Sequence, residues 1–132
     1  MEDQAVEKIL RESKTIAVVG FSRRPSRAGY YVPAYLQNQG YRIIPVNPYL
    51  QEGLGEPAYP ALEDIPGPVD LVLLFQRSEK VPPFVDQAIA IGAKGVWMQS
   101  GIANEAAADR ARAAGLDVVQ NRCMMVEHRY FS

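Results

Sequence analysis

Thr15-Ile16-Ala17-Val18-Val19-Gly20-Phe21-Ser22-Arg23-Arg24-Pro25-Ser26-Arg27 begins as a β-branched, apolar run and turns, at a glycine, into a basic loop. The apolar part does not alternate with polar residues. It therefore reads as a strand buried on both faces, as in a parallel sheet covered by helices, and not as a strand with one face in water. In such a sheet the segment leaving the carboxyl end of a strand faces the ligand crevice. Here that segment carries three arginines and two serine hydroxyls.

Outward from this unit the pattern repeats. Further short apolar runs at 42–46, 71–75, 95–98 and 117–119 read as strands two to five. Between them lie residues at helical spacing: Tyr31, Tyr35 and Leu36, then Val81, Phe84, Val85, Ala88 and Ile89. The alanine-rich segment 103–114 has Asn104 as its candidate N-cap and Gly115 just past its end, where Gly40 and Gly92 also follow their helices. An opening helix over 4–12 places Val6, Ile9 and Leu10 on one side, within a charged run that starts at Met1. The segment 51–68 holds four prolines and three glycines and is expected to be an extended loop with one helical turn near Leu62. Because βαβ crossovers are right-handed, the expectation is one α/β domain over 1–132. It would be a Rossmann-like open parallel five-stranded sheet, order 3-2-1-4-5, with helices on both faces.

Composition narrows the function classes. A chain of 132 residues with 48% hydrophobic and 22% charged residues forms one ordinary core, and a net charge of −1 gives no global attraction to nucleic acid or an anionic membrane. Any anion site has to be local. Cys123 is the only cysteine, so neither an internal disulfide nor a thiolate metal cluster is expected. No export signal and no membrane-spanning run is read, and the expected location is the cytoplasm.

The carboxyl rim comprises 20–27, Asn47 and Pro48, 76–78, 99–102 and 121–123. A dinucleotide fingerprint would need two more glycines, where Ser22 and Pro25 stand, and an acid after the second strand, where the chain reads Val46-Asn47-Pro48. No Gly-Lys-Ser/Thr follows Gly20 either, which disfavours a P-loop. The basic loop remains suited to an anion, through helix N-terminal amides and guanidinium hydrogen bonds. The bland alternative is a solvated loop whose arginines pair with surface carboxylates.

Four stretches, in this order, carry a resemblance: Ile16-Ala17-Val18-Val19-Gly20-Phe21-Ser22, Tyr41-Arg42-Ile43-Ile44-Pro45-Val46-Asn47-Pro48, Ala93-Lys94-Gly95-Val96-Trp97-Met98-Gln99-Ser100-Gly101 and Asn121-Arg122-Cys123. Together they resemble the stand-alone coenzyme A-binding domain proteins, single-domain relatives of the N-terminal domain of the succinyl-CoA synthetase alpha subunit. The likeness runs from about Val6 to His128. It implies coenzyme A or an acyl-CoA as ligand, with Ser22, Arg23, Arg24 and Pro25, in the loop that opens at the cofactor-binding Gly20, at the phosphates. Asn47 and Pro48 would lie at the adenosine, and Gln99, Ser100 and Gly101 along the pantetheine arm. The synthetase has a lysine where this chain has Leu50, so Arg24, Arg27 or Arg77 is expected to take over that ionic contact.

Other residues admit plainer readings. Ser78 reads as an N-cap and Trp97 as core packing. Cys123 and His128 could form a nucleophilic pair acting on an acyl-CoA, but no third residue to orient the imidazole is evident. The resemblance places the synthetase's phosphorylated histidine in a second domain, so His128 does not correspond to it. Met124, Met125, Tyr130 and Phe131 make an apolar tail that covers the sheet edge or serves a second copy or partner subunit. The expectation is thus a binding module without catalytic or metal-ligating residues. The alternatives are a Cys123-dependent acyl-CoA enzyme or a nucleotide or dinucleotide binder.

Overall fold

The computed structural model describes residues 2–131, so Met1 and Ser132 lie outside it. Five strands lie parallel: β1 (Thr15–Val19), β2 (Arg42–Val46), β5 (Leu71–Leu74), β6 (Gly95–Met98) and β7 (Asp117–Val119). The helices are α1 (Glu2–Glu12), α2 (Ala28–Asn38), α3 (Val81–Ala90), α4 (Glu105–Ala113) and α5 (Met124–Phe131). Asn104 caps α4 as its sequence position predicts, its Oδ1 accepting the Ala107 amide at 3.1 Å. Gly40, Gly92 and Gly115 follow their helices with positive φ.

The parallel, doubly covered sheet stands as expected, but its strand order is corrected. The order is β2-β1-β5-β6-β7, or 2-1-3-4-5 for the five principal strands, not 3-2-1-4-5. β5 runs beside β1, with Ile16 opposite Leu71 and Val19 opposite Leu74. The chain therefore returns from β2 across β1 and reverses its direction along the sheet. Since each crossover is right-handed, a reversed direction puts the crossover on the opposite face. The cores show this division. Val32 and Leu36 of α2 pack with Ile16, Val18, Leu73 and Trp97 on one face, joined by Val6 and Ile9 of α1 and Met124 of α5. Leu62, α3 and α4 pack on Ala17, Val19, Val72 and Leu74 on the other. Successive strand residues thus feed opposite layers, and burying each large aliphatic side chain contributes about 1.5–3 kcal/mol. Trp97 is fully buried and its Nε1 donates to the Arg122 carbonyl at 2.8 Å, so it belongs to the core.

The segment expected to be an extended loop also holds a hairpin, β3 (Glu52–Gly53) with β4 (Glu56–Pro57), before the 3₁₀ turn Leu62–Asp64. Its strands are two residues long, too short for any alternation to register in the sequence. Gly53 abuts the Phe21 ring and leaves no room for a Cβ, and that ring is buried in the core.

Asp70 locks the amino edge of the sheet. Its Oδ2 accepts the Lys14 and Thr15 amides, both at 2.9 Å, and its carbonyl accepts those of Lys94 and Gly95. Burial pushes its carboxyl up, but the two amides and the nearby Lys94 ammonium together outweigh it and hold the group below the usual range. A carboxyl lowered in the folded state stabilises fully above its unfolded value near 3.9 and loses that contribution as pH falls through the folded value. Asp70→Asn should therefore be less stable than the parent at pH 7. In urea denaturation the gap should narrow progressively below about pH 4; a gap constant from pH 7 to pH 2 would contradict this.

Candidate functional site at the carboxyl edge of the sheet

The reversal of strand order parts the connections that leave β1 and β5, and a crevice opens between them at their carboxyl ends. Gly20 stands at this point with φ +84°, and a Cβ on it would lie 2.9 Å from the Phe75 carbonyl oxygen. Gly29, in the first turn of α2, would place a Cβ 2.9 Å from the Gly20 oxygen. Strand, loop and helix therefore meet backbone to backbone.

Beyond Gly20 the loop is held by its own hydrogen bonds. The Ser22 amide donates to the Gly29 carbonyl, and Ser22 Oγ accepts the Arg24 amide at 3.1 Å, which leaves the hydroxyl proton for another partner. Arg24-Pro25-Ser26-Arg27 closes as a turn through Arg27 N–H to the Arg24 carbonyl, with Pro25 at the position that favours its fixed φ. Pro25 shapes the loop. Arg27 is the residue before α2 and makes no side-chain cap, and the first turn of α2 contains no acid. The Tyr30 and Tyr31 amides donate to the Arg27 carbonyl, so the Ala28 and Gly29 amides are the ones left available to an anion.

Two depressions flank Gly20. One, about 230 Å³, is lined by Gly20, Ser22, Arg24, Arg27, Gly29 and Phe75. The other, about 240 Å³, lies at the ends of β2 and β5, where Asn47, Pro48, Tyr49 and Gln76 line it with Phe84 of α3. Neither is lined by a carboxylate. A roomier depression of about 400 Å³ lies at the amino edge, but its cations are paired, Lys8 with Asp117 and Lys94 with Asp70. Size is a weaker guide than topology and charge here.

The partners of the arginines separate the site from the rest of the surface. Arg42 pairs with Glu56, Arg110 with Asp86, Arg112 with Glu105 and Asp109, and Arg11 with Glu12. Arg122 bridges Glu2, Asp3 and Glu127; hydrogen bonding to Asp3 and these charges raise its pKa against a smaller effect of burial. Arg23, Arg24, Arg27 and Arg77 are all exposed, and none makes a side-chain hydrogen bond or ion pair among the described residues. The loop is not one whose arginines pair with surface carboxylates.

Other expected site residues are placed differently. Asn47 is a bracket: its Nδ2 donates to the Phe21 carbonyl at 2.9 Å and its Oδ1 accepts the Tyr49 amide at 2.8 Å. Gln99 is buried, its Oε1 accepting the Met124 amide at the start of α5. Its amino group makes no hydrogen bond among the described residues. Ser100 and Gly101 are exposed after β6 and line neither depression, and the Gly101 amide donates to Asn121 Oδ1. Arg23, Pro25 and Arg77 stand on the rim without lining either. Ser78 is not an N-cap of the turn it begins; its Oγ accepts the Ala103 amide and its carbonyl accepts Asn104 Nδ2, tying the loop after β5 to the start of α4. Leu50, at the position of the synthetase lysine, packs against the core cluster that contains Phe21. His128 Nδ1 is bonded to Tyr35 Oη at 2.8 Å, and its ring stands edge-on to Tyr35 and Tyr41. Tyr49, Phe84 and Gly29 were not anticipated. A glycine in the first turn of a helix was the available signal for Gly29.

A parallel sheet with a basic, acid-free crevice at its reversal point is a Rossmann-like binding domain. The chain belongs to the CoA binding domain family, whose model matches residues 14–129. It is 41% identical over 123 residues to the uncharacterized protein YneT of Bacillus subtilis (strain 168), covering 93% of this chain and 91% of that protein. It is 33% identical over 95 residues to acetate–CoA ligase [ADP-forming] II of Archaeoglobus fulgidus, covering 70% of this chain but 14% of the ligase. A hypothetical protein from Pyrococcus horikoshii OT3 has the same fold, with TM-score 0.92, 43% identity and coverage of 98% and 91% of the two chains. The dinucleotide-forming acetyl-coenzyme A synthetase 1 of Ca. Korarchaeum cryptofilum superposes with TM-score 0.73 at 28% identity, over 86% of this chain and 27% of the synthetase.

Gly29→Ala tests the packing at Gly20. Within a helix this change ordinarily stabilises by roughly 1 kcal/mol. Here it should lower the melting temperature, because the added methyl meets the Gly20 carbonyl and has to displace the loop. An unchanged or raised melting temperature would show that the contact is not tight.

Proposed function

We propose that this chain binds coenzyme A or an acyl-CoA at the carboxyl edge of its sheet and acts as a binding module that supplies no catalytic group. The carrying observation is that Arg24 and Arg27, which line the depression at Gly20, and Arg23 and Arg77 in the adjoining rim loops are unpaired among the described residues, on a chain whose other arginines have partners. A cation without a protein counter-ion at a switch point retains its full capacity for a charge-assisted hydrogen bond. The diphosphate lies over the start of α2, against Ser22, Arg24 and Arg27, while Arg23 or Arg77 reaches the 3′-phosphate. The adenosine side takes the Asn47 and Pro48 depression, and the pantetheine arm runs toward the loop after β6, where Ser100 and Gly101 are exposed. The missing acid at the end of β2 leaves ribose hydroxyls without the acceptor a dinucleotide site provides, which disfavours that alternative. Tyr35 holds His128 at Nδ1 and leaves Nε2 free, but Cys123 makes no hydrogen bond to that ring among the described residues, which disfavours the Cys123 enzyme. This chain matches only 14% of the length of the acetate–CoA ligase, so that protein's reaction is not carried over to it.

Titration calorimetry with coenzyme A and dephospho-coenzyme A tests the assignment. A charge-assisted hydrogen bond contributes about 1.5–3 kcal/mol, so Arg24→Ala and Arg27→Ala should each weaken coenzyme A about tenfold or more. Dephospho-coenzyme A should bind the parent protein more weakly than coenzyme A does. Equal affinity for both ligands, undiminished in the two arginine variants, would refute the site.

A further inference from the structure

Tyr49 is 91% exposed, its hydroxyl has no partner, and its ring touches no other aromatic among the described residues. Tyr130, 79% exposed, at least packs on Phe131 with ring centroids 4.9 Å apart. An aromatic ring left so bare makes little contribution to the fold, yet its backbone is firmly set. The Tyr49 amide donates to Asn47 Oδ1, and the Asn47 amide donates to the Tyr59 carbonyl. Tyr49 lines the second depression together with apolar Val46, Pro60 and Phe84, and that depression adjoins the arginine loop through Gly20, which lines both.

We propose that Tyr49 is the platform on which the adenine ring of the bound coenzyme stacks, with the base held in the slot between Tyr49 and the Pro60–Phe84 wall. This rests on the coenzyme A reading above and adds to it a residue that contacts the base. A flat base suits the slot because every base presents a π-face and stacking does not depend on hydrogen-bond donors. The pantetheine arm, with two amide groups to satisfy, fits it poorly. The Asn47 amide there is already engaged at both ends, and apart from it only Gln76 supplies a polar side chain besides the Tyr49 hydroxyl.

The experiment compares the parent, Tyr49→Ala and Tyr49→Phe by calorimetry with coenzyme A and adenosine 3′,5′-bisphosphate. It also follows the adenine H2 and H8 resonances of coenzyme A by proton NMR. Base stacking on an aromatic side chain gives an expected loss of at least about fivefold in Tyr49→Ala for both ligands. Tyr49→Phe should bind as the parent does, since the ring and not the hydroxyl makes the contact. The adenine resonances should move upfield on binding to the parent and to Tyr49→Phe, and that ring-current shift should disappear in Tyr49→Ala. Parent-like affinity or a retained upfield shift in Tyr49→Ala would overturn the platform while leaving the arginine site standing. Failure of the parent protein to bind coenzyme A would overturn both.

Discussion

The close approach at Gly20 is the constraint on which the rest of this molecule turns. β1 ends there with its next strand neighbour β5 and the first turn of α2 all within van der Waals reach, and two glycines make this possible. Gly20 takes a positive φ that side chains resist, and at both glycines a neighbouring backbone oxygen stands where a methyl group would have to go. The result is a narrow seam of backbone with a depression on either side of it. One side is basic and looks onto the start of a helix; the other is apolar and aromatic. A ligand that is anionic along its middle and flat at one end meets complementary chemistry across that seam.

The reversal of the crossover direction creates this seam. Had the third principal strand docked outside β2, the loop after β1 would have faced the loop after β6, and Gln99, Ser100 and Gly101 would have stood beside the arginines. With β5 inserted instead, the neighbours of the basic loop are Phe75 and Gln76, and the β6 loop moves one strand further away. The folded chain then uses that displaced region for assembly. Gln99 starts α5, Ser78 joins the β5 and β6 loops, and Arg122 fastens α5 to α1.

Charge is distributed with the same economy. Acidic side chains accompany the arginines on the helices and at the amino edge, while both rim depressions lack them. Such a field is local and leaves the net charge near zero, which is why the overall composition carries no trace of an anion site.

The amino-acid sequence by itself determined the class of fold, because the apolar runs are too continuous for half-solvated strands and the helical periods between them demand a covering layer on each face. It also determined the basic loop, the Asn104 cap and the burial of Trp97, each of which depends on neighbours along the chain or on plain hydrophobicity. Tertiary structure alone decided the position of β5, since a crossover of this length reaches either the free edge of β2 or the far edge of β1 and local pattern holds no record of which it takes. It alone decided that Asn47 and Gln99 spend hydrogen bonds on Phe21 and Met124, residues 26 and 25 positions away. It also decided which arginines stay unpaired, because a guanidinium finds or misses a carboxylate through the packing of distant segments.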